Sequence, residues 1–298
     1  MRIAIVGAAG KMGSWFAALL QRHGHDLVLV GRRREPVERL AHTMDRCTAG
    51  DYDAVGDVDL IIVSVPLNVV DEVLRDLAPH VRERQAVIDL SSLKVAPQRS
   101  ADAHMPHACF LGVHPMFGPG ADGLAGHNVI LVPGSGPAEA LAEKVRIYVA
   151  PHGAHVTSMR PEEHDALMTI VLGLPALTVA MVARTVLSSG KLVQARDASG
   201  TSLEVLMALT ESMVCGGSEL YGTLLAAMPA APSVAAALRE SAEYLEGLVA
   251  GGDRNRLIAE LTELGCGLTA CSSTAGDAYA RMYAMLEALK RYPAMPSA

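Results

Sequence analysis

Three kinds of group in this sequence could do chemistry together: an imidazole held between prolines, a glycine-rich turn, and Ser, Lys and Arg residues placed directly after apolar runs. The imidazole is His114, in Gly112-Val113-His114-Pro115-Met116-Phe117-Gly118-Pro119. An imidazole titrates near pH 6.5, so a fixed, neutral histidine suits a general base at neutral pH. The apolar run Ala108–Leu111 reads as a strand. That places His114 on a loop near the strand's carboxyl end, the edge where open α/β sheets bind ligands. Pro115, Gly118, Pro119 and Gly120 stiffen or turn this loop. A histidine standing alone is more often structural than catalytic, so its company matters.

The first part of that company is at the start of the chain. Arg2–Val6 is a β-branched run of the kind that forms a buried parallel strand. Gly7-Ala8-Ala9-Gly10-Lys11-Met12-Gly13 follows, and Trp15, Phe16, Leu19 and Leu20 then form a helical stripe. Strand, G-x-x-G-x-x-G, helix is the setting of a dinucleotide-binding turn. Its glycines permit a tight bend and close approach to the pyrophosphate, which faces the helix N-terminus. The expected contacts are Gly7, Ala9, Gly10, Lys11, Met12 and Gly13; the bland alternative is a glycine-rich turn with no ligand.

The second strand, Asp26–Val30, ends at Gly31-Arg32-Arg33-Arg34. An NAD-specific site usually places an acid here for the ribose 2′-hydroxyl. Arginines instead offer charge-assisted forks for a 2′-phosphate, which favours NADP, with NAD possible. Gly31, Arg32 and Arg33 are therefore cofactor candidates, unless the arginines only form a solvated turn. Asp59–Pro66 reads as another buried strand whose end, Ser64, Val65 and Pro66, lies beneath the cofactor by the same topological rule. Ala86–Leu90 is the next strand, followed at once by Ser91-Ser92-Leu93-Lys94. Ser92 could bond a histidine or substrate and Lys94 could meet an anion; seen alone they are a polar loop. Leu67–Leu77 and Ala138–Val149 look helical, Val129–Val132 continues the sheet, Pro133–Pro137 is a loop, and Ala154–Thr157 reads as an edge strand.

These elements need a sizeable core, and composition supplies it. Of 298 residues, 50% are hydrophobic and 19% charged, which argues for compact soluble domains rather than disorder. The length suggests two domains, an α/β unit at 1–158 and a helical unit at 159–298. Net charge is −7, with 15 Lys and Arg against 17 Asp and Glu in residues 1–150 and 10 against 15 thereafter. Neither half has a basic field, so nucleic acid is not an expected partner. Five cysteines without C-x-x-C spacing, and a first strand beginning at Arg2, suggest free thiols in a reducing cytoplasm and no signal peptide. His104/His107 and His152/His155 have helical spacing but lack the acids or cysteines of a metal site, so no metal is expected.

The second half changes character. No charged residue occurs from Ala166 to Ala183, long enough to raise a membrane span. Gly173 and Pro175 interrupt the run and it lacks an aromatic belt, so a helix buried in a domain or dimer core is expected. Residues 203–228 and 234–250 read as helices, Gly265–Ala278 as a break, and Tyr279–Lys290 as a last helix. So apolar a helical domain suggests a homodimer and no membrane.

Gly7–Gly13, Val63–Pro66, Asp89–Lys94, the His114–Pro119 block and Pro161-Glu162-Glu163-His164-Asp165 occur in the order found in prephenate dehydrogenases. The chain resembles that family, which includes arogenate and cyclohexadienyl dehydrogenases, and most resembles its compact archaeal-type branch over roughly residues 1–230. His-Pro-Met-Phe-Gly-Pro is a specific motif; the glycine loop is shared with many dehydrogenases. The resemblance implies a Rossmann-like doubly wound parallel sheet followed by an all-helical dimerisation domain. It also implies NAD(P)-dependent oxidative decarboxylation of a small anionic cyclohexadiene. His114 would take the proton from the C4 substituent, Ser92 would orient it, and Lys94 and His164 would lie at the site. Ser91, Met116, Gly118, Arg184 and Arg196 complete the expected substrate contacts.

Two departures bear on the substrate. Where the family carries a histidine after Gly-Leu-x, this chain has Ala176. The Phe-Arg-Asp-x-Thr-Arg block that grips a substrate carboxylate in bacterial members has no counterpart; the nearest stretch is Arg196-Asp197-Ala198-Ser199-Gly200-Thr201. Arogenate, or 4-amino-4-deoxyprephenate with an amine at C4, therefore stands beside prephenate. A β-hydroxyacid dehydrogenase or imine reductase would share the loop without needing the His114 block. A non-catalytic NADP-binding sensor would share it without turnover.

Overall fold

The computed structural model describes residues 1–134 and 136–291 and divides into two compact units, Met1–Met168 and Thr169–Ala298. The first unit is built on strands β1 (Arg2–Val6), β2 (Asp26–Val30), β3 (Cys47–Gly50), β4 (Leu60–Val63), β5 (Ala86–Asp89), β6 (Cys109–Pro115), β7 (Asn128–Pro133) and β8 (His155–Ser158). Its helices are α1 (Lys11–Arg22), α2 (Arg34–His42), α3 (Val70–Leu77), α4 (Val95–His104), α5 (Pro137–Val149) and α6 (Pro161–Met168). The strands form one sheet in the order β3-β2-β1-β4-β5-β6-β7-β8. Neighbours from β3 through β6 are parallel, β7 runs antiparallel to β6, and β8 is parallel to β7.

Strand composition explains this sheet. The strands are apolar at successive positions because both faces are covered. Ile3, Ile5, Leu27, Leu29, Ile62, Ile88, Leu111 and Val113 enter one core with α1. Ala4, Val6, Val28, Val30, Ile61, Val63, Val87 and Phe110 enter the other with α3. The period-two alternation of side chains thus feeds two cores from the same residues. Parallel order from β3 to β6 brings the ends of β2, β1, β4, β5 and β6 to one edge, where Gly7–Gly13, Gly31–Arg33, Ser64–Pro66, Ser91–Lys94 and His114 lie.

Several local expectations change. His114 and Pro115 lie within β6, with His114 opposite Ile130 of β7, so the imidazole is held by strand pairing and not by a loop. The short strand Cys47–Gly50 was not marked by its mixed composition; it pairs with β2 at the sheet edge. The expected Pro133–Pro137 loop includes Ser135, which lies outside the described residues.

The second unit opens with a π-helical turn, Thr169–Gly173. It continues as α7 (Leu174–Ser188), α8 (Leu192–Asp197), α9 (Thr201–Val214), α10 (Ser218–Ala227), α11 (Ala231–Ala250), α12 (Arg254–Cys271) and α13 (Ala278–Lys290). The stretch expected as one helix over 203–228 is broken at Cys215–Gly217, where glycines cost helix stability. The expected break at Gly265–Ala278 is shorter: α12 runs through Gly265 and Gly267 to Cys271. The uncharged stretch is less buried than expected. Met168, Ala176 and Val179 face inward, but Leu167, Ile170, Val171 and Met181 are exposed. The helical stretch Pro161–Ser188 is long and apolar enough, by length and composition, to cross a membrane.

Candidate active site

The glycine turn is shaped by what lies beneath it. Gly7 has φ of 87°, a left-handed conformation that glycine adopts without steric cost. A side chain there would strike the Ser64 carbonyl, and one at Gly13 would strike the Gly7 carbonyl. Ser64 and Val65 at the end of β4 therefore form the floor of the turn, with the Ser64 N–H donating to Val6 O at 2.8 Å. Ala9, Gly10 and Lys11 are exposed above it, and Gly10 caps α1 without any side-chain hydrogen bond. The first N–H groups of α1 are left for an outside acceptor, as a pyrophosphate requires. A dinucleotide fits this cradle.

At the end of β2, Gly31 approaches the Val37 side chain closely, so a Cβ there would lie 2.8 Å from it. Arg34 is engaged by Glu38 at 2.6 Å. Arg32 and Arg33 are exposed and have no hydrogen-bond or ion-pair partner among the described residues. Two free guanidinium groups thus stand where a cofactor's ribose substituent would arrive.

The end of β5 carries a buried ion pair. The Lys94 ammonium, 1% exposed, donates to Asp89 Oδ2 at 2.6 Å and to the Asp89 carbonyl at 2.9 Å. The Ser91 N–H donates to Asp89 Oδ1 at 3.1 Å, and its hydroxyl lies 2.7 Å from Oδ2. Lys94 therefore points into the fold, and its expected role as an outward anion contact is replaced by pairing with Asp89. Burial lowers its pKa, opposed by the Asp89 carboxylate. Gly112 of β6 makes room: a Cβ there would stand 2.8 Å from the Lys94 stem.

From this corner a second network reaches the imidazole. Asp165 of α6 accepts the backbone N–H groups of Lys94 at 2.7 Å and Val95 at 3.0 Å, capping α4 from another helix. Its Oδ1 also lies 2.7 Å from His164 Nδ1, and His164 Nε2 lies 2.9 Å from His114 Nδ1. The carboxylate can only accept, so in the neutral pair it places a proton on His164 Nδ1. His164 Nε2 then accepts from His114 Nδ1–H, leaving the lone pair on His114 Nε2. That nitrogen has no hydrogen-bond partner among the described residues. Burial, then the Lys94 and His164 charges, hold the His114 pKa well below the ordinary imidazole value. The arrangement favours a neutral His114 imidazole with its proton on Nδ1.

The remaining expected residues divide. Ser92 is half-buried and makes no hydrogen bond among the described residues; His164 occupies the orienting position at His114 Nδ1. Met116 is half-buried, its N–H donating to Asn128 O at 2.9 Å, and Gly118 is exposed. Trp15 Nε1 donates to the Ala121 carbonyl at 2.6 Å and its ring lies 4.9 Å from Phe117, tying the segment after His114 to α1. In the second unit Arg184 is exposed, whereas Arg196 forms an ion pair with Glu211 and is not a free carboxylate clamp. Asp89, Asp165 and Gly112 were not singled out as site residues. Their sequence signal was a charge at the last position of an apolar strand, an acid beside His164, and a glycine two residues before His114. Among the described residues no group of three His, Cys, Asp or Glu side chains is placed to hold a metal.

Residues 16–158 match the family model for the prephenate dehydrogenase nucleotide-binding domain. A probable arogenate/prephenate dehydrogenase of Methanocaldococcus jannaschii is 33% identical over 177 residues, 58% of this chain and 40% of that one. The chain thus spans less than half the length of that relative. A 4-amino-4-deoxyprephenate dehydrogenase of Streptomyces pristinaespiralis is 28% identical over 273 residues, 88% of this chain and 90% of that one. The solved prephenate dehydrogenase from A. aeolicus, in complex with hydroxyphenyl propionate and NAD+, superposes with a TM-score of 0.75 at 20% identity, covering 91% and 98% of the two chains. That likeness shows the shared fold of Rossmann-like sheet and helical region. Residues 16–158 are thus similar to the nucleotide-binding domain of prephenate dehydrogenases, and the chain shares the fold of those enzymes.

Proposed function

We propose that this protein catalyses NADP-dependent oxidative decarboxylation of prephenate or a close analogue. The observation that carries the reading is the His114–His164–Asp165 chain, which leaves a neutral, buried imidazole with Nε2 free on the sheet edge that also carries the glycine turn. His114 is on β6, three strands from β1, or roughly 14 Å across the sheet.

Bound NADP+ supplies the hydride acceptor. The N–H groups at the start of α1 would hold its pyrophosphate, and Arg32 and Arg33 would meet its 2′-phosphate. His114 Nε2 removes the proton from the C4 hydroxyl as the C4 hydrogen leaves as hydride, giving a dienone. Loss of CO2 from C1 sends its electron pair into the ring, and the dienone oxygen takes the proton back from His114 to give a phenol. Atoms and charge balance with CO2, NADPH and 4-hydroxyphenylpyruvate. Aromatisation drives the reaction, so the protein's task is orientation and proton transfer.

A second reading has its own support. The relative matched along 88% of this chain acts, by its name, on 4-amino-4-deoxyprephenate. The same base would take an N–H proton and the product would be 4-aminophenylpyruvate. A panel of prephenate, arogenate and 4-amino-4-deoxyprephenate, followed by NADPH formation, separates these readings. Binding of NADP+ without turnover of any of them would make the protein a nucleotide-binding sensor.

In this reading the enzyme is a soluble cytoplasmic homodimer joined through its helical unit. Leu220, Val249, Leu261 and Leu268 are exposed there, more apolar surface than a solitary helical unit ordinarily shows to water. Sedimentation at micromolar concentration should give a dimer; a monomer would refute this assembly.

A further inference from the structure

A cavity of about 360 Å³ lies under α1 and α5, against the face of β1, β4, β5 and β6 opposite His114. Val113 and Pro115 line it and bracket His114, whose own side chain leaves β6 on the other face. Ile3, Leu20, Ile62 and Ile88 form its walls, and each belongs to the core on this side of the sheet. Close packing is the rule inside proteins, and an apolar cleft this large leaves its walls without the dispersion contacts they would otherwise make. Apolar walls also give water no hydrogen bonds. The space is more than twice the ~150 Å³ that takes up benzene in an apolar interior, so an eight-carbon chain is a reasonable occupant.

Polar groups occur at the rim, and most are engaged. The Tyr148 hydroxyl lies 2.6 Å from His23 Nδ1, and Asp59 accepts the Arg2 N–H at 2.8 Å. His25 Nδ1 lies 3.5 Å from the Met1 amine. Lys144 is exposed and its ammonium has no partner among the described residues. One free cation above an apolar chamber matches a molecule with a hydrocarbon body and one negative charge. It offers neither the guanidinium fork nor the row of backbone N–H groups that phosphates prefer.

We propose that this cleft binds a hydrophobic monocarboxylate, its hydrocarbon body lying between the sheet and helices α1 and α5 and its carboxylate against Lys144. The site is separate from the proposed reaction and does not depend on it.

Octanoate and its neutral counterpart octan-1-ol test this, titrated into the full chain. Thermal midpoint and the fluorescence of Trp15 report binding; it is the single tryptophan, and its ring lies 4.9 Å from that of Phe16 in the cavity wall. Octanoate should bind saturably at one site and more tightly than octanol. Lys144→Met should weaken octanoate about fivefold, as expected for one exposed ionic contact, and leave octanol unchanged. Val145→Phe should fill the cavity and abolish both, with NADP+ affinity retained. Ala86→Phe, from the sheet side, serves if Val145→Phe does not fold. No saturable octanoate binding, equal affinity for the two probes, or binding that persists in the filled variants would overturn the proposal.

Discussion

Replacing Asp165 by asparagine asks whether the acid at the end of the histidine chain sets which nitrogen of His114 is basic. Asp165 accepts from the Lys94 and Val95 N–H groups and from His164 Nδ1. An asparagine has one acceptor oxygen and one donor nitrogen. If its oxygen stays toward His164, its NH2 faces the Val95 N–H, donor against donor. If it turns, the NH2 faces His164 Nδ1 and the tautomers reverse along the chain, leaving a proton on His114 Nε2. Loss of one charge-assisted hydrogen bond is about 1.5–3 kcal/mol, roughly a 10–150-fold effect on rate. The reversed tautomer adds to this, and the comparable acid-to-amide exchange in serine proteases costs about 10⁴ in kcat. A fall in kcat of about 10²–10⁴ is expected, with NADP+ affinity unchanged. The assay is steady-state NADPH formation on the substrate found in the panel. Nitrogen-15 NMR of labelled histidine should show His114 protonated at Nδ1 in the parent and at Nε2 in the variant. A folded variant with kcat within threefold of the parent, or an unaltered tautomer, would refute the reasoning.

His114→Asn should lower kcat by about 10²–10⁴ without changing NADP+ affinity, and the variant should lose the acid limb of kcat/KM. Because His114 is held below its ordinary pKa, that limb in the parent should lie below pH 6.5; a limb at or above it would contradict the burial argument. The same depression makes the neutral form the one that stabilises the fold. Its contribution is present above about pH 6.5 and is lost as pH falls through the lower folded-state pKa. Arg32→Ala should narrow an NADP+ over NAD+ preference of about tenfold or more, measured by titration; equal affinities in the parent would remove the case for a 2′-phosphate contact. Lys94→Met should leave the Asp89 charge buried and unpaired and lower unfolding free energy by about 3–5 kcal/mol, read by denaturant melting. A loss under 1 kcal/mol would mean the pair is not needed.

Much of this was legible in the chain because it depends on local chemistry. Short β-branched runs bounded by turn residues read as strands covered on both faces, and a strand followed by Gly7, Gly10 and Gly13 makes a turn that fits a phosphate. Parallel order then sends Gly7, Ser64, Ser91 and His114 to one edge without further information. What the chain could not disclose is direction at the level of single side chains. Ser91-Ser92-Leu93-Lys94 reads as an outward polar loop, yet Lys94 turns inward because Asp89 and the space above Gly112 receive it. Ser92 precedes Lys94 by two residues and was the expected partner of His114; the partner in the structure is His164, fifty residues further on. Such pairings depend on how α6 packs against α4 and β6, and no periodicity in the sequence encodes that distance. The sequence determined which groups could react, because residue type and strand-end position are local properties. Tertiary packing decided which nitrogen of His114 keeps a free lone pair, because a tautomer is set by the neighbour it meets.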